Sequence, residues 1–343
     1  MLDAWVAQQI GCGGALSREA LDAYTLRRLN AVTQRARALS PWYRETLPPG
    51  EIRTLEDFRR LPFLTPETVK AEGARLLCVG AEDIERVVTL LSSGSTGAPK
   101  RIYFTAADQE TTVDYFHHGM AEFTSPGAKV LSLFPGTSPG SLNDLLTRAL
   151  RRLGAEMEVF GFPTPDRCGD LCAAIIAGGY DFLAGPAEAV AGAARYSEAQ
   201  GLSDALASQI GGVLLSASFV SDADRTDIAR IWRCAVNEHY AMTETGLCGA
   251  VGCRVPGQYH LWESGLYYEV IDPETLLPVP DGAYGELVVT TLTERGMPFL
   301  RYRTGDRSRV IPGPCPCGSL LRRIERVQAR PVDKKFLRER PQF

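Results

Sequence analysis

Apolar positions recur at helical spacing through the first 80 residues. Leu21, Tyr24, Leu29 and Val32 fall on one face of the run REALDAYTLRRLNAVTQRARAL, which predicts an amphipathic helix with Ser17 as its N-cap. Ser40-Pro41 ends that helix, because the residue before a proline is pushed out of the helical region. Thr65-Pro66-Glu67 opens a second, short helix with proline at its first position. Beyond residue 81 the pattern becomes short apolar runs alternating with amphipathic stretches. Val130–Phe134, Met157–Phe160, Asp181–Ala184, Gly212–Ser216 and Ala235–Tyr240 read as strands. Ser141–Leu153, Asp166–Ala177, Pro186–Ala199 and Ser221–Trp232 read as helices. Fully apolar strands separated by helices predict a largely parallel α/β sheet. After Gly246 the period shifts to two, in LYYEVIDPETLLPVPDGAYGELVVTTLT, with turns at Asp272-Pro273 and Asp281-Gly282. That segment predicts a small antiparallel β subdomain. The expected organisation is a helical segment over 1–80, an α/β core over 81–246, a β-rich part over 247–330 and a charged tail over 331–343.

Composition narrows the class. The 343 residues are 45% hydrophobic and 23% charged, enough for a proper core. No run approaches the ~18 apolar residues of a membrane helix, and the N-terminus lacks the basic and apolar regions of a secretory signal, so a cytoplasmic, membrane-free protein is expected. A net charge of −4 argues against nucleic acid as a partner. The charge is uneven: from Arg295 onward 13 Lys/Arg face 4 Asp/Glu, so that segment carries +9 and the rest −13. Lysine occurs only at positions 70, 100, 129, 334 and 335; one inside a motif is therefore informative.

The strongest local pattern is Ser92-Ser93-Gly94-Ser95-Thr96-Gly97-Ala98-Pro99-Lys100, following the apolar run Arg86–Leu91. Two glycines let successive N–H groups converge on one anion, and the hydroxyls and Lys100 add donors suited to a polyphosphate. It is neither a Walker A loop nor a dinucleotide fingerprint. Two further motifs lie downstream: Tyr240-Ala-Met-Thr243-Glu244-Thr-Gly246, just past an apolar strand where parallel sheets form ligand crevices, and Arg301-Tyr302-Arg303-Thr304-Gly305-Asp306.

These three motifs, in this order, resemble the adenylate-forming superfamily. Tyr268-Glu-Val-Ile-Asp-Pro-Glu-Thr, Gly285-Glu-Leu-Val-Val-Thr-Thr-Leu-Thr and Pro298-Phe-Leu-Arg-Tyr-Arg-Thr-Gly-Asp resemble its phenylacetate–coenzyme A ligase branch, over residues ~35–330. The resemblance implies the large N-terminal domain of such an enzyme, with layered, mostly parallel sheets, helices and a small antiparallel β subdomain. It implies ATP-dependent activation of a carboxylic acid as an acyl-adenylate with release of pyrophosphate, followed by transfer to coenzyme A or another acceptor. By resemblance Ser92 to Gly97 and Lys100 hold the β/γ-phosphates, Thr243 contacts the α-phosphate and Glu244 ligates Mg²⁺. Tyr240 stacks on adenine, and Asp306 and Arg330 reach the ribose. The acyl group is expected against Phe134, Gly136, Gly185, Ser216 and Ala241, and a small, possibly aryl acid is the first substrate guess. Ser216-Ala217-Ser218 stands where many relatives carry Gly-Gly-Glu. His239 is read as a packed imidazole.

Cys315-Pro-Cys317-Gly318 can aim two thiolates at one point. With Cys253 and His260, a C-x6-H pair, it forms a candidate structural zinc set of four soft ligands; Cys248 is the spare. Some relatives in the branch are similar here. Reduced buried cysteines are the alternative. Complete superfamily members continue for roughly another hundred residues, as a mobile lid hinged near Arg330, so a lid domain is expected to be missing, or supplied by a separate C-terminal-domain or acceptor protein. Ala329-Arg-Pro-Val-Asp333 also departs from the usual hinge wording. The competing expectation is a catalytically impaired nucleotide- or metabolite-binding pseudoenzyme. A homodimer is the default assembly.

Overall fold

The computed structural model describes residues 2–90 and 99–328. Ser92, Ser93, Gly94, Ser95, Thr96, Gly97, Arg330 and the 331–343 tail lie outside the described residues.

Fourteen strands occur among the described residues: β1 (Ile84–Leu90), β2 (Lys100–Thr105), β3 (Lys129–Ser132), β4 (Glu156–Val159), β5 (Phe182–Gly185), β6 (Gly212–Leu215), β7 (Ala235–Ala241), β8 (Gly249–Gly252), β9 (Gln258–Leu261), β10 (Leu266–Ile271), β11 (Gly285–Thr291), β12 (Tyr302–Ser308), β13 (Val310–Ile311) and β14 (Arg323–Glu325). The large sheet has the order β13-β14-β9-β8-β7-β6-β5-β3-β4. Its half from β4 to β7 is parallel; from β7 to β13 it is antiparallel. All five strands expected in the parallel core are present, within a residue or two of their predicted ends.

Alternate residues of these strands feed opposite faces. Leu131, Leu183, Val213 and Leu215 pack with Leu171, Val190, Ile228 and Trp232 from the helices Cys168–Gly178, Ala187–Ala199 and Asp222–Trp232. Val130, Phe182, Ala184 and Leu214 belong to the cluster on the other face, with Val113, Met120, Leu146 and Leu150 of the helices Ala106–Met120 and Leu142–Leu153. Burial on both faces explains why the strands are apolar throughout rather than alternating.

The β-rich stretch after Gly246 divides between two sheets. β8, β9, β13 and β14 extend the large sheet, whereas β10-β11-β12 form a separate antiparallel sheet. Thr304-Gly305-Asp306 lies inside β12 rather than after the subdomain. Ser40 accepts from the Tyr43 amide and so caps a further helix, Pro41–Thr46, as well as ending Arg18–Leu39. The N-terminal helices dock onto the small sheet and its loops. The Tyr43 hydroxyl donates to the Pro298 carbonyl at 3.0 Å and accepts from the Leu300 amide at 3.1 Å, and Arg35 donates to the Arg295 carbonyl at 2.9 Å. Buried Arg301 pairs with Glu269 at 3.0 Å and donates to the carbonyls of Arg59 and Leu61. Among the described residues no helix is long and apolar enough to cross a membrane.

Candidate active site

In the parallel half of the large sheet, β4 and β5 flank β3 on opposite sides. Crevices open at the carboxyl ends of strands around such a reversal; Phe134, Gly136, Gly185, Ser216 and the stretch Tyr240–Glu244 end or follow β3, β5, β6 and β7, whereas Lys100 lies in β2 and Asp306 in β12. β7 delivers His239, Tyr240 and Ala241, and a single 3₁₀ turn, Thr243–Thr245, follows. Gly246 closes that turn at φ +68, where a Cβ would come 2.6 Å from Arg295 Nη1; both facts demand glycine. Beneath the turn, buried Arg295 donates to the carbonyls of Thr245 and Asp108, and Thr112 donates to the Gly246 carbonyl at 2.7 Å. These supports carry no sequence motif.

The turn aims Glu244 at Lys100, the first residue of β2. Lys100 Nζ donates to Glu244 Oε1 and lies 3.2 Å from the Tyr302 hydroxyl, which itself donates to Glu244 Oε1 at 2.8 Å. Residues 100, 244 and 302 thus converge from three parts of the chain, largely out of solvent. Tyr302 was not singled out as a site residue, although it lies within the Arg301–Asp306 motif.

β7, the strand that leads into this turn, also borders a crevice lined by Ala217, Ser218, Tyr240, Asp306 and Gln328. The Tyr240 hydroxyl donates to Asp306 Oδ2 at 2.8 Å. Ala217 sits at φ +62, a left-handed conformation that L residues rarely adopt. Glu238, buried behind the crevice, accepts from Arg326 at 2.7 and 2.8 Å and from Tyr259 at 2.7 Å.

A second, mainly apolar cavity shares Ala217, His239 and Ala241 with the crevice and runs back to Phe116, Phe123 and Phe134. Phe134, Ser216 and Ala241 line it, as expected. Gly136 lies in an adjoining cavity with Thr243 and Gly246, its carbonyl held by Asn143, which also accepts from Ser132 at 2.6 Å. Gly185 is not among the residues that line these cavities. It ends β5 where a Cβ would meet Leu133 Cβ at 2.8 Å, so close strand packing explains the glycine. His239 is packed, as read, but it also faces the cavity. Its Nδ1 is 2.9 Å from Ser216 Oγ and its Nε2 3.0 Å from the Tyr115 hydroxyl. Burial lowers its pKa to about 4, so the ring is neutral at pH 7. Tyr115 carried no signal in the sequence.

Away from this region, Cys253, His260, Cys315 and Cys317 come together, with ligand atoms all within 4.8 Å of one another. Cys253 Sγ is 3.5 Å from Cys315 Sγ, and Cys317 Sγ is 3.3 Å from His260 Nε2. Ligand bonds of about 2.0–2.3 Å in a tetrahedron imply ligand separations of about 3.3–3.8 Å. His260 Nδ1 faces the Leu321 carbonyl at 3.3 Å. A carbonyl can only accept, so Nδ1 carries the proton and Nε2 is left as a free ligand. The spare, Cys248, is buried beside Arg295 instead.

Residues 62–293 match the family model for AMP-binding enzymes, which spans the Lys100 strand, the Glu244 turn and the phenylalanine-lined cavity. The chain belongs to the AMP-binding enzyme family. The resemblance to the phenylacetate–coenzyme A ligase branch is borne out by its relatives. It is 28% identical to a phenylacetate–coenzyme A ligase of Thermus thermophilus, over 94% of this chain and 73% of that protein. A 78-residue segment is 44% identical to the Aromatoleum evansii phenylacetate–coenzyme A ligase, covering 23% of this chain and 17% of that one. In fold the family member resembles 2-hydroxyisobutyryl-CoA ligase, solved with 2-HIB-AMP and CoA, at a TM-score of 0.82 and 22% identity over 92% of this chain and 69% of that one.

Proposed function

We propose that this chain is the acid-activating body of an ATP-dependent acid–thiol ligase for a small aryl carboxylic acid. A carboxylate oxygen attacks the α-phosphorus of ATP, the bond to the β-phosphate oxygen breaks, and pyrophosphate leaves. The acyl-adenylate then acylates the thiol of coenzyme A and releases AMP. The observation that carries this reading is that β7 and the turn after it bring Tyr240 to Asp306 at the crevice, Ala241 to the phenylalanine-lined cavity and Glu244 to Lys100 and Tyr302. The names of the relatives as phenylacetate–coenzyme A ligases support the aryl acid, and no comparison favours a pseudoenzyme.

Within this reading Asp306 accepts from the ribose hydroxyls, Tyr240 lies against adenine and Thr243 meets the α-phosphate. Lys100 neutralises charge on the polyphosphate together with the Ser92–Gly97 loop. Glu244, an oxygen donor beside that path, is the residue to hold Mg²⁺, a hard cation that takes one or two carboxylates and completes its shell with phosphate and water. The metal, when bound, withdraws charge from the transferring phosphoryl group. The protein's share is alignment and electrostatics in a sheltered site. Cys253, His260, Cys315 and Cys317 hold a structural zinc that pins the β13–β14 loop to β8 and β9; four protein ligands leave no open position for catalysis.

Acid-dependent pyrophosphate exchange into ATP, run over phenylacetic, benzoic, hydroxyaryl and short aliphatic acids, tests the proposal. Exchange with aryl acids, abolished by Glu244→Ala, is the expected result. No exchange with any acid overturns it.

A further inference from the structure

The cavity that would take the acyl group is apolar except at one wall, where Ser216, His239 and Tyr115 form a continuous hydrogen-bonded chain. A neutral imidazole has one donor nitrogen and one acceptor nitrogen, so the chain has two possible polarities. In one, Nε2–H donates to the Tyr115 oxygen and Ser216 donates to Nδ1. The Tyr115 proton then has no acceptor within reach among the described residues, in a side chain only 1% exposed. Leaving a buried hydroxyl donor unmet is the costly error in a folded protein. In the other, Tyr115 donates to Nε2 and Nδ1–H donates to Ser216 Oγ. The proton left without a protein partner is then that of Ser216, the more exposed of the two residues at 8% against 1%, and it points into the cavity that Ser216 lines.

We propose that Ser216 is a specificity-determining residue, fixed by Tyr115 and His239 as a hydrogen-bond donor, and that the preferred acid carries an oxygen acceptor on an otherwise apolar aryl body. Hydroxyl, ether, carbonyl and nitro oxygens fit this class; a methyl or ethyl group of the same size leaves the Ser216 proton unmatched. This deepens the acid-activating reading and rests on it for the identity of the cavity. Sites built around a fixed polar group reject isosteres that lack the partner far better than apolar pockets discriminate by size.

Two measurements on the unmodified full chain decide it. The first is ¹H–¹⁵N correlation through the imidazole ring of His239, one of only four histidines. A proton on Nδ1 is expected, and a proton on Nε2 overturns the proposal. The second is the affinity of paired acyl-sulfamoyl adenosines, 3- and 4-methoxyphenylacetyl against 3- and 4-ethylphenylacetyl. A preference of about tenfold for a methoxy member is expected; equal affinity overturns the proposal, as does failure of all four to bind. Ser216→Ala brings the ratio close to one. Tyr115→Phe, which keeps the ring that lines the cavity and removes the hydroxyl at His239, spreads the ring proton over both nitrogens and gives an intermediate ratio. Absence of acid-dependent exchange alongside a clear methoxy preference would remove the catalytic reading and leave this one standing. Exchange with no preference would do the reverse.

Discussion

Tyr302 donates its hydroxyl to Glu244 Oε1 at 2.8 Å, from a strand of the small sheet to a turn of the large one. This bond joins the two sheets at the proposed phosphate site. With Lys100 on the same oxygen, it fixes where the carboxylate points before any nucleotide arrives. Removing it leaves the ion pair but frees the carboxylate to rotate. Tyr302→Phe should lower pyrophosphate exchange about tenfold, since the freed carboxylate is no longer aligned with the transferring group. The stability loss should be about 1–3 kcal/mol, the range for a hydrogen bond to a charged group. Exchange kinetics and urea melts measure the two separately, and an unchanged exchange rate would remove Tyr302 from the site.

The turn that carries Glu244 depends on a glycine. Gly246→Ala forces a methyl-bearing residue into φ +68 and against Arg295 Nη1. Left-handed backbone alone costs a non-glycine residue roughly 1–2 kcal/mol, and displacing Arg295 disturbs its contacts with Asp108 and Thr245. A loss of about 2–4 kcal/mol in urea melts is expected, together with loss of exchange. A variant as stable as the parent would show that Arg295 can move freely.

The strands of the parallel core could be read because each is an apolar run buried on both faces, and the helices because Ser17, Thr65 and Ser141 cap them in sequence. The cluster of Cys253, His260, Cys315 and Cys317 was legible because Cys315-Pro-Cys317 and the C-x6-H pair both have ligand-like spacing. The division of the β-rich part between two sheets was not legible, because period two marks a strand without naming its partner. The packing constraint at Gly185 was not legible, because a glycine beside a pocket and a glycine between packed strands look alike in sequence. Tyr115, Asp108 and Arg295 act through contacts fifty or more residues away along the chain, which no local pattern encodes.

Purified protein should carry close to one zinc per chain. Metal ligation by Cys253, His260, Cys315 and Cys317 ties the loop after β13 to β8 and β9, and metal binding free energy becomes folding free energy for the parts it joins. Stripping the metal with a chelator, or Cys317→Ser, should lower the melting temperature by several degrees. Pyrophosphate exchange at low temperature should persist, because the cluster does not border the crevice. Metal content far below one per chain, with melting insensitive to chelator, would leave four reduced cysteine and histidine side chains without a ligand.

The neutral state of His239 makes a prediction about pH. Its folded pKa is about 4 against an unfolded value of 6.5, with burial as the cause. Between those values the unfolded chain binds a proton at this position and the folded chain does not, so stability rises with pH across that window. The contribution is undiminished above pH 6.5 and is lost as pH falls toward 4. A shift of this size corresponds to about 3 kcal/mol. Other groups titrate in the same range, but they are common to the parent and to His239→Leu. The stability difference between the two proteins should therefore move by about 3 kcal/mol in favour of the variant from pH 7 to pH 4, measured by urea melts at each pH. A difference that stays constant would mean that His239 titrates normally, and the ring would then be charged at the lower end of the working range.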